Sequence, residues 1–246
     1  MTKTQSDMDA ASHPPSPNLL EIYNRLYTVF GPQHWWPADS PFEVIVGAIL
    51  AQNTAWKNVE KAITSLKQHA AADAPQILTP EGIHRISEET LSGLIRSSGF
   101  YHVKARRLKA FITFLYDACD GTLAQMFSRD SNSLREQLLS VKGLGPETVD
   151  AILLYAGNLP YFVVDAYTRR VFSRHGWIAE TASYSEIQHF FMERLLPDVR
   201  LFNEYHALIV NVSKVFCKTK PDCEQCPLQP FFEQEGKHQY GCVIRY

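Results

Sequence analysis

The sequence predicts an all-α fold, and three observations lead there. Apolar residues recur at helical spacing from about residue 18 onward, helix-start signals stand at the heads of those runs, and only Tyr161 to Asp165 reads as extended. That segment is too short and too isolated to build a sheet, so helices must pack on helices. A length of 246 residues suits one or two domains, and 45% hydrophobic with 20% charged residues supplies a sizeable core.

Along the chain, MTKTQSDMDAASHPPSPN is polar and lacks the apolar stretch of a signal peptide, so residues 1–17 are expected to form a disordered tail. Ser40-Pro41-Phe42-Glu43 reads as a capping box with proline at the first helical position, opening a helix through Val44 to Leu50. Thr54 is the expected cap of the next helix, which carries Val59, Ala62, Ile63 and Leu66. Gly99, Gly121 and Gly143 stand where helices stop. Ser133-Leu134-Arg135-Glu136 and Ser183-Tyr184-Ser185-Glu186 repeat the box pattern. Leu134, Leu138 and Val141 space one short helix, Gly143-Leu144-Gly145 turns it, and Val149, Ile152, Leu153 and Ala156 space the next.

Such a turn can grip a phosphate without reading sequence. Glycine admits positive φ and close approach of a foreign group, and Pro146 opens a helix whose first amides point outward at the positive end of its dipole. An ordinary helix corner fits the same spacing. The neighbourhood is basic, however: residues 96–109 carry Arg96, Lys104, Arg106, Arg107 and Lys109 without an acidic residue, and Arg169, Arg170 and Arg174 follow the turn. Each run taken alone also fits a solvated helix face, and with a formal net charge of −2 any nucleic-acid surface must be local. Asp165 lies between the extended segment and a helix bearing Val171 and Phe172. It is a natural N-cap there, and a partly buried carboxylate at a helix start can also stay ionised beside a cleft; the two roles are compatible.

No apolar run approaches the roughly 18 residues that span a bilayer, so a cytoplasmic protein is expected. Of five cysteines, Cys217, Cys223, Cys226 and Cys242 lie in the last 30 residues, while Cys119 stands alone. Clustering of this kind suggests metal or cluster ligation rather than disulfides.

From about residue 40 to 226 the chain resembles the helix-hairpin-helix DNA glycosylases of the endonuclease III superfamily. SPFEVIVGAILAQNT, SGFYHVKARRLKAF, VKGLGPETVDAILLYAG and VVDAYTRR match that family in order and spacing. WWP at 35–37, QNTAW at 52–56 and GPETVDAILLYA most closely resemble its 3-methyladenine DNA glycosylases. The resemblance implies a two-domain helix-hairpin-helix DNA glycosylase fold with a C-terminal cysteine loop. A central six-helix domain would span 40–162, and a second helical domain would be built from 18–39 plus 163–246, with the substrate pocket between them. It implies a monomer acting on double-stranded DNA that contains a damaged base. By the same resemblance Asp165 matches the catalytic aspartate, and Gly143 and Gly145 match the hairpin that holds the DNA backbone. Gln52 matches the residue that fills the gap left by an extruded base, and the resemblance implies that Arg170 would lie beside a phosphate near the active site.

Departures from the family pattern narrow the expectation. Strand-cutting members carry a lysine where this chain has Glu147, which cannot form a Schiff base; Lys142, on the turn, suits a phosphate contact better. A monofunctional enzyme is therefore expected, with Asp165 stabilising oxocarbenium-like charge and helping a water attack C1′. Adenine-mismatch members carry an acid at the position matched by Gly47, so that branch is disfavoured. Purines methylated at N3 or N7 are cationic, and Trp35, Trp36 and Trp56 offer electron-rich faces for such a base, although core packing is the competing account of all three.

Cys217, Cys223 and Cys226, separated by five and two residues, resemble the family's [4Fe-4S] loop. The first gap is one residue short, and the usual fourth cysteine falls at Phe232, which leaves Cys242 as a late fourth ligand. A zinc site using His238 or Cys242, or an empty loop, are the alternatives. The alternatives for the whole protein are an endonuclease III-like oxidised-pyrimidine glycosylase and lyase, and a noncatalytic binder of DNA structure.

Overall fold

The computed structural model describes residues 17–70 and 78–231. Among these the protein is all-α, with no strand. The tail expected at residues 1–17 falls almost wholly outside the described residues, as do Phe232, His238 and Cys242. Twelve α-helices follow one another: α1 Leu19–Phe30, α2 Pro41–Leu50, α3 Trp56–Ala70, α4 Pro80–Arg85, α5 Glu88–Leu94, α6 Tyr101–Cys119, α7 Leu123–Phe127, α8 Ser131–Ser140, α9 Pro146–Ala151, α10 Ala166–Arg174, α11 Tyr184–Met192 and α12 Val199–Val215. A 3₁₀ turn, Arg96–Ser98, precedes α6, and a π turn, Ile152–Ala156, continues α9. None of these helices is long and apolar enough to cross a membrane.

The chain divides into two compact units. Residues 34–163 with 197–203 form one, which contains α2 to α9; the described parts of 1–33, 164–196 and 204–246 form the other, with α1, α10, α11 and most of α12. In the first unit α2 is buried along its whole length from Phe42 to Leu50, as an all-round apolar helix must be. α3, α6, α9 and the π turn pack against it, with Ile45, Ile49, Phe111, Leu138, Val149 and Ile152 fully buried. In the second unit Ile22, Leu26, Phe172, Phe191, Tyr205 and Leu208 form the core.

The helix starts test local reading against long-range competition. At α2, Ser40 accepts from the Glu43 N–H at 3.2 Å with Pro41 at the first position. The Glu43 carboxylate does not complete the box, because it pairs with Lys67 at 2.7 Å. Thr54 caps nothing: α3 starts at Trp56, and the Ala55 carbonyl takes the Asn58 amide at 2.9 Å. Ser133 lies inside α8, since Asp130, three residues earlier, captures its N–H at 2.9 Å and starts the helix first. Ser183 and Glu186 do form the reciprocal box at α11.

Candidate active site

Within the first unit the turn between α8 and α9 has the positive φ that glycine admits at Gly143 but not at Gly145. Leu144 is buried and its N–H closes on the Val141 carbonyl at 3.1 Å, while Lys142, Gly143, Gly145, Pro146 and Glu147 are exposed. Gly143 needs to be glycine twice over. Its φ is +92°, and the Arg107 side chain lies on its α-carbon so closely that an added Cβ would stand 2.5 Å from Arg107 Cγ. Gly145, at φ −94°, has nothing within 4 Å of an added Cβ. It is a bare spot facing open space.

Gln52 follows the end of α2 in a turn whose next residue, Asn53, is left-handed at φ +53°. Its amide is tied to the hairpin: Nε2 donates to Thr148 Oγ1 at 2.8 Å and to the Gly143 carbonyl at 3.4 Å, and Oε1 accepts from the Arg107 guanidinium. Arg107 was legible only as one of a basic run. The available signal was its place on α6, three residues after buried Lys104 and four before buried Phe111, at the edge of the helix's inner face. Phe100, which precedes α6 in the left-handed region at φ +45°, holds its ring 71% exposed.

The basic run of residues 96–109 does not present all its cations to a partner. Lys104 is 1% exposed, and its Nζ donates to the carbonyls of Leu50 at 2.9 Å and Ser98 at 2.6 Å. Burial, helped by the charge of Arg107, lowers its pKa to about 8. Lys109 donates to the carbonyls of Ile83, His84 and Ile86 around the end of α4, and burial lowers its pKa. Both ammonium groups close helix ends and are unavailable to phosphate.

The three tryptophans come together. Ring centroids are 5.3 Å apart for Trp35 and Trp36, 5.9 Å for Trp35 and Trp56, and 5.0 Å, nearly perpendicular, for Trp36 and Trp56. Tyr155, on the π turn, joins them 5.2 Å from Trp36. It was not foreseen, because it lies about a hundred residues away in sequence and helical spacing does not reveal which distant rings a helix face meets. All four rings are half-buried, and the Trp35 and Trp36 indole N–H groups are buried without a hydrogen-bond partner among the described residues. Gly47 makes room for this group from within α2: an added Cβ would lie 3.3 Å from Trp36 Cζ2 and 3.4 Å from its Nε1.

In the second unit Asp165 is the N-cap of α10. Its Oδ1 accepts from the Thr168 N–H at 2.7 Å and the Thr168 hydroxyl at 2.9 Å, and its Oδ2 lies 3.5 Å from Nε2 of buried His206. Burial is the largest single influence and pushes its pKa up; the His206 imidazole and the Thr168 hydrogen bonds together outweigh it and leave the carboxyl below its ordinary value. The side chain is 13% exposed, so this is a persistent anion in a sheltered place. Arg170, one turn on, donates to Ser213 Oγ at 2.6 Å and lies 5.2 Å from the Tyr167 ring centre.

Cys217, Cys223 and Cys226 line one small cavity with Arg174 and His175. Arg174 Nη1 approaches Cys217 Sγ at 3.4 Å and donates to the Lys218 carbonyl at 2.6 Å. Among the described residues no three histidine, cysteine or acidic side chains gather closely enough to hold a metal ion. The donor types suit an iron–sulfur cluster, but the placement of these three thiols does not form a site by itself.

Comparisons with known proteins agree on the kind of molecule. Residues 46–197 match the family described as HhH-GPD superfamily base excision DNA repair protein. A Methanocaldococcus jannaschii protein, provisionally described as a DNA repair glycosylase, is 46% identical over 215 residues, covering 87% of this chain and 94% of that protein. The solved H. pylori 3-methyladenine DNA glycosylase bound to 1,N6-ethenoadenine is 29% identical, with a TM-score of 0.70 over 80% of this chain and 98% of its own. An endonuclease III–DNA complex, at 22% identity, shares the fold with a TM-score of 0.71 over 89% of this chain and 95% of its own. With a hairpin, an aromatic cluster and a capped aspartate in place, and more than half of its length matched, the chain belongs to the HhH-GPD superfamily of base excision DNA repair glycosylases.

Proposed function

We propose that this glycosylase removes alkylated purines, such as 3-methyladenine, from double-stranded DNA by hydrolysis and without cutting the strand. The observation that carries the reading is the cluster of Trp35, Trp36, Trp56 and Tyr155 beside the bare α-carbon of Gly47. A methylated purine is cationic and already a good leaving group, so electron-rich ring faces select it and little acid catalysis is required; each well-placed ring contributes ~0.5 to 2 kcal/mol. The H. pylori relative, a 3-methyladenine DNA glycosylase solved with the modified adenine 1,N6-ethenoadenine, supports a modified purine as the base.

In this reading the C1′–N bond breaks with its electron pair leaving on the base, and the cationic sugar that develops is stabilised by Asp165. A carboxylate held below its ordinary pKa is a weak base and a constant negative charge, which suits electrostatic stabilisation while a water adds to C1′. Gln52, braced on the hairpin, fills the gap in the duplex, and Lys142, Gly143, Gly145 and Arg170 hold the phosphates. Glu147 stands on the first turn of α9 where a strand-cutting relative has lysine, which leaves no amine there for a Schiff base. The cysteine loop is proposed to hold a structural [4Fe-4S] cluster with Cys242 as fourth ligand, and the protein is proposed to act as a monomer.

Duplex oligonucleotides carrying one damaged base each, assayed with and without alkaline cleavage, test substrate and reaction together. The expected product is an abasic site from methylated purine duplexes, cut only after alkali and giving no covalent adduct with borohydride. Trp56→Ala should lower methylated-purine release about 2- to 30-fold, more than it lowers affinity for undamaged duplex. The endonuclease III-like fold makes an oxidised-pyrimidine lyase the second reading; release of oxidised pyrimidines with a borohydride-trapped adduct would establish it instead.

A further inference from the structure

We infer that His206 is a positioning residue for Asp165, setting the direction in which the carboxylate presents its second oxygen; this rests on the reading of Asp165 as the group that faces the sugar. The two oxygens are held unequally. Oδ1 is fixed by the N–H and hydroxyl of Thr168, both within the first turn of α10, at 2.7 and 2.9 Å. Those bonds satisfy the helix start and pin the carboxylate at one oxygen, about which the group can still rock, because they place nothing against Oδ2. The group that meets Oδ2 comes from another helix. His206 of α12 places Nε2 3.5 Å away, and its side chain is 7% exposed, so water does not readily take its place.

At 3.5 Å the contact is longer than a settled hydrogen bond. It is close enough to limit the rocking of the carboxylate toward α12, and a small shift converts it into a donor bond. An imidazole fits this task because its N–H is directional and its ring is rigid, whereas an aliphatic side chain of the same volume would leave the oxygen undirected. His206 touches neither sugar nor base in this account; it acts through Asp165.

The test uses the full-length protein, duplex DNA methylated with dimethyl sulfate as substrate, and a duplex with a tetrahydrofuran abasic analogue as binding probe. His206→Ala, His206→Gln, His206→Phe and Asp165→Asn are compared, with thermal melts to establish folding. The expected result is a single-turnover release rate reduced roughly tenfold or more in His206→Ala and His206→Phe. Affinity for the tetrahydrofuran duplex should be unchanged, and His206→Gln, whose amide N–H can reach the same oxygen, should recover most of the rate. Wild-type rates in all three variants, or a loss that glutamine does not restore, or an equal loss of affinity, would overturn the inference. Wild-type release by Asp165→Asn would instead overturn the reading of Asp165 on which it rests.

Discussion

Asp165 combines a structural and a chemical duty, and the two separate on substitution. Asparagine keeps an acceptor for the α10 N-cap but removes the charge. Asp165→Asn should therefore fold, should bind damaged duplex as before, and should lose release activity by about 10²- to 10³-fold, the usual cost of deleting one electrostatic stabiliser. Its effect on stability has a defined pH window. The folded carboxyl lies below its ordinary value, so its ionised form is favoured by folding. That contribution is complete above the ordinary aspartate pKa of about 4 and is lost as pH falls through the lower folded value. The stability difference between wild type and Asp165→Asn, followed by denaturant melts, should stay level from neutral pH down to roughly 5 and shrink below about 4. Asp165 was readable as a cap because a cap is local: the residue, the extended segment before it and the helix after it are contiguous. His206 was not, because it lies 41 residues further on in sequence, in a helix whose pattern says only that one face is buried.

For the elements, the hairpin gives the sharpest contrast. Gly143→Ala must place a side chain at φ +92° and displace Arg107, and it should cost at least about 1 to 2 kcal/mol while weakening duplex binding. Gly145→Ala meets no neighbour and keeps an ordinary φ, so its stability should fall only by the weaker N-cap that alanine gives α9, up to about 1 kcal/mol. A fall in DNA affinity in this second variant then reports crowding of the DNA backbone alone. Melting curves and binding isotherms on both proteins separate the two effects. The helices themselves were largely legible, and the failures share a cause. Ser183 capped as expected, in a reciprocal box with Glu186; Ser133 lost to Asp130, and the Glu43 carboxylate was drawn away by Lys67 of α3. Local patterns name candidates, and competition between them is settled by partners that sequence spacing does not reveal. Gln52 illustrates the limit. Its place on the turn after α2 was recognisable, but its bond to Arg107, 55 residues away, was not.

For the whole molecule, all-α architecture followed from periodicity, while the grouping of Trp35, Trp36 and Trp56 with Tyr155 came only with the fold. The cysteine loop carries a separate prediction. Protein purified without oxygen should be brown with iron and acid-labile sulfide in equal amounts, and Cys226→Ser should bleach it; colourless, metal-free protein would establish an empty loop. One further property follows from the two lysines whose ammonium groups are bonded to main-chain carbonyls. Lys104 and Lys109 count toward the 24 basic residues of the chain, yet neither can displace a counterion from a phosphate. Affinity for duplex should accordingly fall less steeply with ionic strength than the basic run around α6 suggests. In a plot of log affinity against log salt, Lys142→Ala should reduce the slope by about 1, while Lys109→Met should leave it unchanged.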